Sequence, residues 1–297
     1  MLHLRLVTGT LLVLGLLGLL WLDGWATAAA RGLPAVDAVL GSSEGIALVA
    51  FAVVVLAPLL GRELAALLRA AGVSAPTWLT VLAAIVGTVA LRALPAAGDG
   101  TSAAAIAATA TWAVLCLALV AHTRGQRIEG VVAACGGTLL AFAYLGAMLG
   151  TWLLVRTQVG PWVLAGAILT VKASDIGAYF TGMSFGRHKM IPWLSPGKSW
   201  EGLAGGIAFA AAVGGLLAWW SGSLPDPRDQ VPVVLGACAG AVLGLVGPFG
   251  DLAESLLKRN AGAKDSGNTL PGMGGLLDVV DSPLLAGPVV WWALQFR

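Results

Sequence analysis

The sequence predicts an all-α fold, a polytopic membrane bundle of about nine transmembrane helices. Three observations carry this expectation. The 297 residues are 58% hydrophobic and only 11% charged, with a mean hydropathy of +0.88, whereas a soluble domain carries about a quarter charged residues. The apolar residues gather in runs of roughly 15–22, the length a helix needs to cross a hydrocarbon core. Segments of about ten residues with alternating hydrophobicity, the mark of a membrane β-barrel, are absent.

Taken in order, the apolar spans fall near 5–22, 45–60, 77–94, 103–121, 130–154, 161–182, 202–220, 232–250 and 284–296. The second and the last are short. Arg5 before the first span and Ala26-Thr27-Ala28 after it outline a cleavable leader, but the many later spans favour an uncleaved first helix. Nine spans with the N-terminus inside place Arg5, Arg62, Arg69, Arg124, Arg127, Arg187, Lys189, Lys198, Lys258, Arg259 and Lys264 on the cytoplasmic side. Arg31, Arg92, Arg156, Arg228 and Arg297 then face the other way, and eleven against five obeys the positive-inside rule. This orientation puts the protein in the cell (inner) membrane with the long polar connections 183–201 and 251–283 in the cytoplasm. Residues 1–160 read as a set of N-terminal transmembrane helices, and 161–297 as the region that carries the chemistry.

Several function classes are excluded or left without support. Basic patches interleaved with exposed aromatics, as a nucleic-acid binder needs, do not occur. Cys116, Cys135 and Cys238 are isolated in apolar stretches and read as small core residues rather than redox or metal ligands. Gly236, Gly240 and Gly244, like Gly146 and Gly150, recur at four-residue spacing, which lets helices approach closely in lipid. Helix packing accounts for them, and they are also compatible with a homodimer.

Charge returns in one place. Asp251 to Asp281 holds five carboxylates together with Lys258, Arg259 and Lys264 in a glycine-studded stretch, and charge near a bilayer is costly enough to imply a task. If the eighth span continues as a helix, Asp251, Glu254, Ser255 and Lys258 share one face at i, i+3, i+4 and i+7. Carboxylates and a hydroxyl are hard oxygen ligands suited to Mg²⁺. Asn260–Asn268 reads as a loop bearing Lys264 and Asp265. In the following Pro271-Gly272-Met273-Gly274-Gly275, the glycines let backbone amides come close to an anion. Asp278 and Asp281 form a second carboxylate pair, and two acidic pairs around a lysine-glycine loop suggest phosphoryl or nucleotidyl transfer with one or two metals. Lys172 and Asp175 lie three residues apart inside the sixth span, either as a functional pair or as a structural ion pair. The basic loop 186–202 that follows has tryptophans suited to an interface and cations suited to an anionic head group.

Read together, Ser255-x-x-Lys258-Arg259-x4-Lys264-Asp265-x-Gly267-x2-Leu270-Pro271-Gly272-x-Gly274-Gly275-x2-Asp278-x2-Asp281 resembles the signature of the phosphatidate cytidylyltransferase (CDP-diacylglycerol synthase) family. Ser174-Asp175-x-Gly177-Ala178-Tyr179-Phe180 and Ser195-Pro196-x-Lys198-Ser199-Trp200-Glu201-Gly202 are similar to its other C-terminal motifs. The resemblance is specific over roughly residues 170–283. Met273 stands where the family pattern has His, and Val279 where it has Arg. The resemblance implies cytidylyl transfer from CTP to phosphatidic acid with Mg²⁺, giving CDP-diacylglycerol and pyrophosphate. On that reading Asp251 and Asp278 are the main metal ligands, supported by Glu254, Asp281 and Ser255. Lys258, Arg259 and Lys264 bind the triphosphate, Asp265 orients Lys264 or the nucleotide, and Asp281 also belongs to the catalytic set. Gly274 and Gly275 offer amides to phosphate, and Lys198, Ser199 and Asp175 line the lipid-phosphate side. Another CTP-dependent lipid kinase, a catalytically impaired homologue and a transporter using Lys172 and Asp175 stay open as alternatives.

Overall fold

The computed structural model describes residues 2–32, 42–97, 100–123 and 128–297; Arg124 and Arg127 lie outside them. Among the described residues there are nine helices: α1 (Leu2–Ala30), α2 (Ile46–Ala70), α3 (Thr77–Ala93), α4 (Gly100–Thr123), α5 (Val131–Gln158), α6 (Pro161–Phe185), α7 (Trp200–Ser221), α8 (Val233–Asn260) and α9 (Leu277–Leu294). Eight are long and apolar enough to cross a membrane, and α3, at 17 residues, is the shorter one. The two spans expected to be short are not: α2 has 25 residues and α9 has 18. Both gain their extra turns from polar sequence, around Arg62-Glu63 in α2 and Asp278-Asp281 in α9, which a hydropathy reading cuts away. One hairpin, β1 (Lys189–Ile191) antiparallel to β2 (Ser195–Ser199), interrupts the helical pattern between α6 and α7.

The chain divides into two compact units. The first is Met1–Thr157 with Asn260–Asp278, and the second is Gln158–Arg259 with Val279–Arg297. Residues 260–278 fold with the first unit although the chain on either side of them belongs to the second.

In the first unit α3 and α5 meet backbone to backbone. A Cβ on Gly146 would overlap the Ala84 carbonyl oxygen, and one on Gly87 would lie 2.9 Å from Gly146 Cα. The widened π turn of α5, Ala141–Ala147, falls at this crossing. An ion network closes the opposite end of the unit's helices. Arg156 bonds Asp23 (Nε–Oδ2, 2.8 Å) and Glu44 (Nη1–Oε2, 2.9 Å), with Arg156 and Asp23 buried. Arg92, also fully buried, donates to the Ser42 and Glu44 carbonyls. Arg92 and Arg156 are therefore not the solvated loop cations that the charge count takes them for. They sit inside helices, Arg156 opposite Asp23 and Glu44 and Arg92 against backbone carbonyls.

In the second unit the ridge Gly236, Gly240 and Gly244 of α8 packs on α7. A Cβ on Gly244 would come within 2.7 Å of Ile207 Cα, and one on Gly240 within 3.0 Å of Ala211 Cα. Both glycine ridges are thus used in packing within the chain. Pro248 inside α8 cannot bond the carbonyl of Gly244 one turn earlier. The Ser174 hydroxyl of α6 donates to that orphan carbonyl at 3.2 Å, so a break in α8 is stabilised by its neighbour, as polar backbone inside a membrane requires.

Candidate active site

Three helices of the second unit converge just past the Pro248 break. Gly250 lets α9 approach α8, because a Cβ there would overlap the Asp281 carbonyl oxygen and lie 2.9 Å from Ser282 Cα. This close approach brings Asp281 to Asp251, and one helical turn along α8 adds Glu254. Carboxylate oxygens of Asp251, Glu254 and Asp281 all lie within 4.8 Å of one another. Glu254 is fully buried and Asp281 nearly so, while Asp251 is partly open. Two unit charges at that separation repel by about 3 kcal/mol at an effective dielectric of about 20, so the cluster calls for cations.

Two lysines supply part of that charge. Lys198, carried in by β2, bonds Asp251 (Nζ–Oδ2, 2.7 Å) and also donates to the Pro248 carbonyl at 2.8 Å. Lys258, at i+4 on α8, bonds Glu254 (Nζ–Oε2, 2.7 Å). The Asp281 carboxylate accepts from its neighbour's amide (Ser282 N, 2.7 Å). Ser199, beside Lys198, is the N-cap of α7: its buried hydroxyl accepts from Gly202 N at 3.2 Å, as N-cap serines do. Ser255 follows on the same helix, half-buried, and Arg259 is exposed. Asp175 of α6 pairs with Lys172 (Oδ2–Nζ, 3.3 Å), with both side chains about a third exposed. The three buried or half-buried carboxylates, all hard oxygen donors, fit a divalent cation such as Mg²⁺.

The remaining expected residues belong to the first unit. Lys264 and Asp265 are exposed on the loop that follows α8. Asp278, expected with Asp251 as a principal metal ligand, organises this loop. Its Oδ2 accepts from Ser266 N (2.9 Å), Ser266 Oγ (2.9 Å) and Gly275 N (2.7 Å). The amides of Gly274 and Gly275, expected to face an anion, bond within the loop, the first to the Leu270 carbonyl (3.2 Å) and the second to Asp278. Gly274, at φ +95°, holds a left-handed turn that only glycine adopts readily. Met273 closes the same turn through its amide (to Leu270 O, 3.0 Å), and Val279 is half-buried in the first turns of α9.

The residue that sequence reasoning overlooks is Glu63. It sits on α2 among the buried Leu60, Leu64 and Leu67 and is itself only 7% exposed. Its Oε1 accepts from Leu276 N (2.8 Å) and the Thr269 hydroxyl, and its Oε2 from Leu277 N (2.8 Å) and Ser266 Oγ (3.2 Å). One carboxylate from the N-terminal half thus holds the glycine loop from four sides. The available signal was a glutamate at i+3 from one buried-face leucine and i−4 from another, a position where an acid must have partners.

Fold and site together define a multi-pass membrane protein whose second unit carries a lysine-bound carboxylate triad suited to metal and phosphate. The chain belongs to the cytidylyltransferase family, whose sequence model matches residues 3–297. It is 42% identical over 145 residues to a phosphatidate cytidylyltransferase of Pseudomonas aeruginosa, covering 49% of this chain and 52% of that one. It is 37% identical over 161 residues to the phosphatidate cytidylyltransferase of Bacillus subtilis (54% and 58%). It is also 36% identical over 149 residues to the uncharacterized protein YnbB of Escherichia coli (49% and 48%). The chain thus spans about half the length of the curated relatives it matches.

Proposed function

We propose that the protein transfers a cytidylyl group from CTP to phosphatidic acid, in the inner membrane and at its cytoplasmic face, for phospholipid biosynthesis. The observation that carries this reading is the Asp251–Glu254–Asp281 triad with Lys198 and Lys258 bound to it, in a chain of the cytidylyltransferase family. An oxygen of the lipid phosphate attacks the α-phosphorus of CTP, the bond from that phosphorus to the bridging oxygen breaks, and pyrophosphate leaves. The attacking oxygen is already anionic near neutral pH, so no general base has to remove a proton. The work is electrostatic: two polyanions must be held together and the departing charge stabilised.

Asp251, Glu254 and Asp281 would hold Mg²⁺, with Ser255 nearby on the same helix. When bound, the ion neutralises phosphate charge and acts as a Lewis acid. Lys258 and Arg259 face phosphate, and Lys198 couples the hairpin to Asp251. On the loop held by Glu63 and Asp278, Lys264 contacts phosphate and Asp265 orients it. Asp278 shapes that loop.

The test is purified protein with labelled CTP, phosphatidic acid and Mg²⁺, assayed for both products. CDP-lipid and pyrophosphate in equal amounts are expected, with Glu254→Gln and Asp281→Asn reducing turnover at least a hundredfold. Absence of CDP-lipid across acyl-chain lengths would overturn the reading, and release of CDP with a newly phosphorylated lipid would identify a CTP-dependent kinase instead.

A further inference from the structure

The roles above leave Lys172 of the second unit unused. It is the twelfth residue of the 25-residue α6, near the middle of a membrane-crossing helix, and its side chain is 35% exposed. A lysine ammonium at that depth is costly unless it meets an anion or a polar cavity. It donates to Asp175 at 3.3 Å, whereas Lys198 and Lys258 are each held at 2.7 Å by a carboxylate of the triad. Lys172 is the most loosely held of the three.

Its place relative to the triad follows from the packing of the second unit. A Cβ on Gly247 would lie 3.6 Å from Val171 Cγ1 and 3.9 Å from Ser282 Cβ. Gly247 is one helical turn before Asp251, Val171 adjoins Lys172, and Ser282 adjoins Asp281. Lys172 therefore stands about one turn, roughly 5 Å, below the triad, on the side of the helix centres and away from the polar end of α8. A lysine stem can snorkel over that length. The triad thus has cations at two levels: Lys198 and Lys258 at its polar rim, and Lys172 toward the membrane interior.

We infer that Lys172 binds the phosphomonoester of the lipid substrate from the membrane side. A lipid phosphate approaches with its acyl chains in the bilayer, so the cation that receives it belongs on the interior side of the reacting centre, where Lys172 is. The ammonium has three donors, and one directed to Asp175 leaves two for phosphate oxygens. Asp175 then positions Lys172 rather than touching the lipid. This inference rests on the proposed cytidylyl transfer.

The experiment measures KM separately for phosphatidic acid and for CTP in the wild type, Lys172→Gln and Lys172→Arg. Lys172→Gln is expected to raise the KM for phosphatidic acid about tenfold to a hundredfold, the size of a lost charge-assisted contact. Its KM for CTP stays within twofold, and Lys172→Arg recovers most of the loss. A second measurement uses metal-free, nucleotide-free protein and native mass spectrometry to compare bound phosphatidic acid with phosphatidylcholine; the preference for phosphatidic acid should vanish in Lys172→Gln. An unchanged lipid KM with an unchanged preference overturns the inference, and so does a parallel rise of both KM values, which marks a structural role. Should Lys172→Gln fail to fold, Lys172→Met takes its place with the same expected outcomes, and an unchanged lipid KM or equal shifts of both KM values would overturn the inference. If the wild type forms no CDP-lipid, the proposed function fails, and the lipid-preference comparison still decides whether Lys172 binds the phosphomonoester.

Discussion

Replacing Glu63 by alanine should open the loop 260–278 while leaving the helices folded. The side chain accepts four hydrogen bonds, two of them from backbone amides, of Leu276 and Leu277, at 2.8 Å. The hydroxyl of Ser266 has a second acceptor in Asp278 Oδ2 at 2.9 Å, and the exposed Thr269 can turn to water. The two amides have no such alternative. Leaving a buried donor unsatisfied costs about 1–3 kcal/mol, so the pair costs about 2–6 kcal/mol, which raises local opening about thirtyfold to ten-thousandfold. Glutamine keeps the shape but turns its NH₂ toward one of the two amides, so Glu63→Gln should lose about half as much. Hydrogen exchange of peptides covering 262–277 reads this directly, and turnover should fall in the same order because the loop carries Lys264 and Asp265. If Glu63→Ala folds and those peptides exchange as slowly as in the wild type, Glu63 does not hold the loop.

Two further perturbations test the packing around the site and the buried charges. Gly250→Ala places a methyl against the backbone of Asp281 and Ser282, neither of which moves cheaply. A loss of about 1–3 kcal/mol and weaker Mg²⁺ dependence are expected, and wild-type melting with wild-type metal titration would refute the close-approach argument. Arg156→Met strands Asp23 and Glu44 and should destabilise by about 3–5 kcal/mol, read by thermal unfolding in detergent. Adding Asp23→Asn should recover part of the loss; a double variant no better than the single would show that the pair is not coupled.

How much of this was legible beforehand differs residue by residue. The continuation of α8 through Asp251, Glu254, Ser255 and Lys258 follows from spacing alone, since a helical face depends only on positions within one element. Asp281 and Asp278 look alike in the sequence, three residues apart on one helix, yet the first joins the triad while the second holds the loop. Gly250, which admits one backbone to another, is what selects Asp281. Arg92 and Arg156 look like loop charges because their partners, backbone carbonyls near Ser42 for the first and Asp23 and Glu44 for the second, lie far away in the chain. Ser199 looks like a ligand until it is seen as a helix cap.

The sequence by itself determined the membrane-spanning helical class, the nine helices and the stretch where charge concentrates, because hydropathy, helical period and charge density are properties of consecutive residues. Only the tertiary structure decided which carboxylates lie together, that residues 260–278 fold with the N-terminal helices, and that Glu63, more than 200 positions away from the amides it binds, holds them there. Those pairings arise because a buried charge must find donors wherever packing brings them, and packing is set by three-dimensional fit that no local pattern encodes.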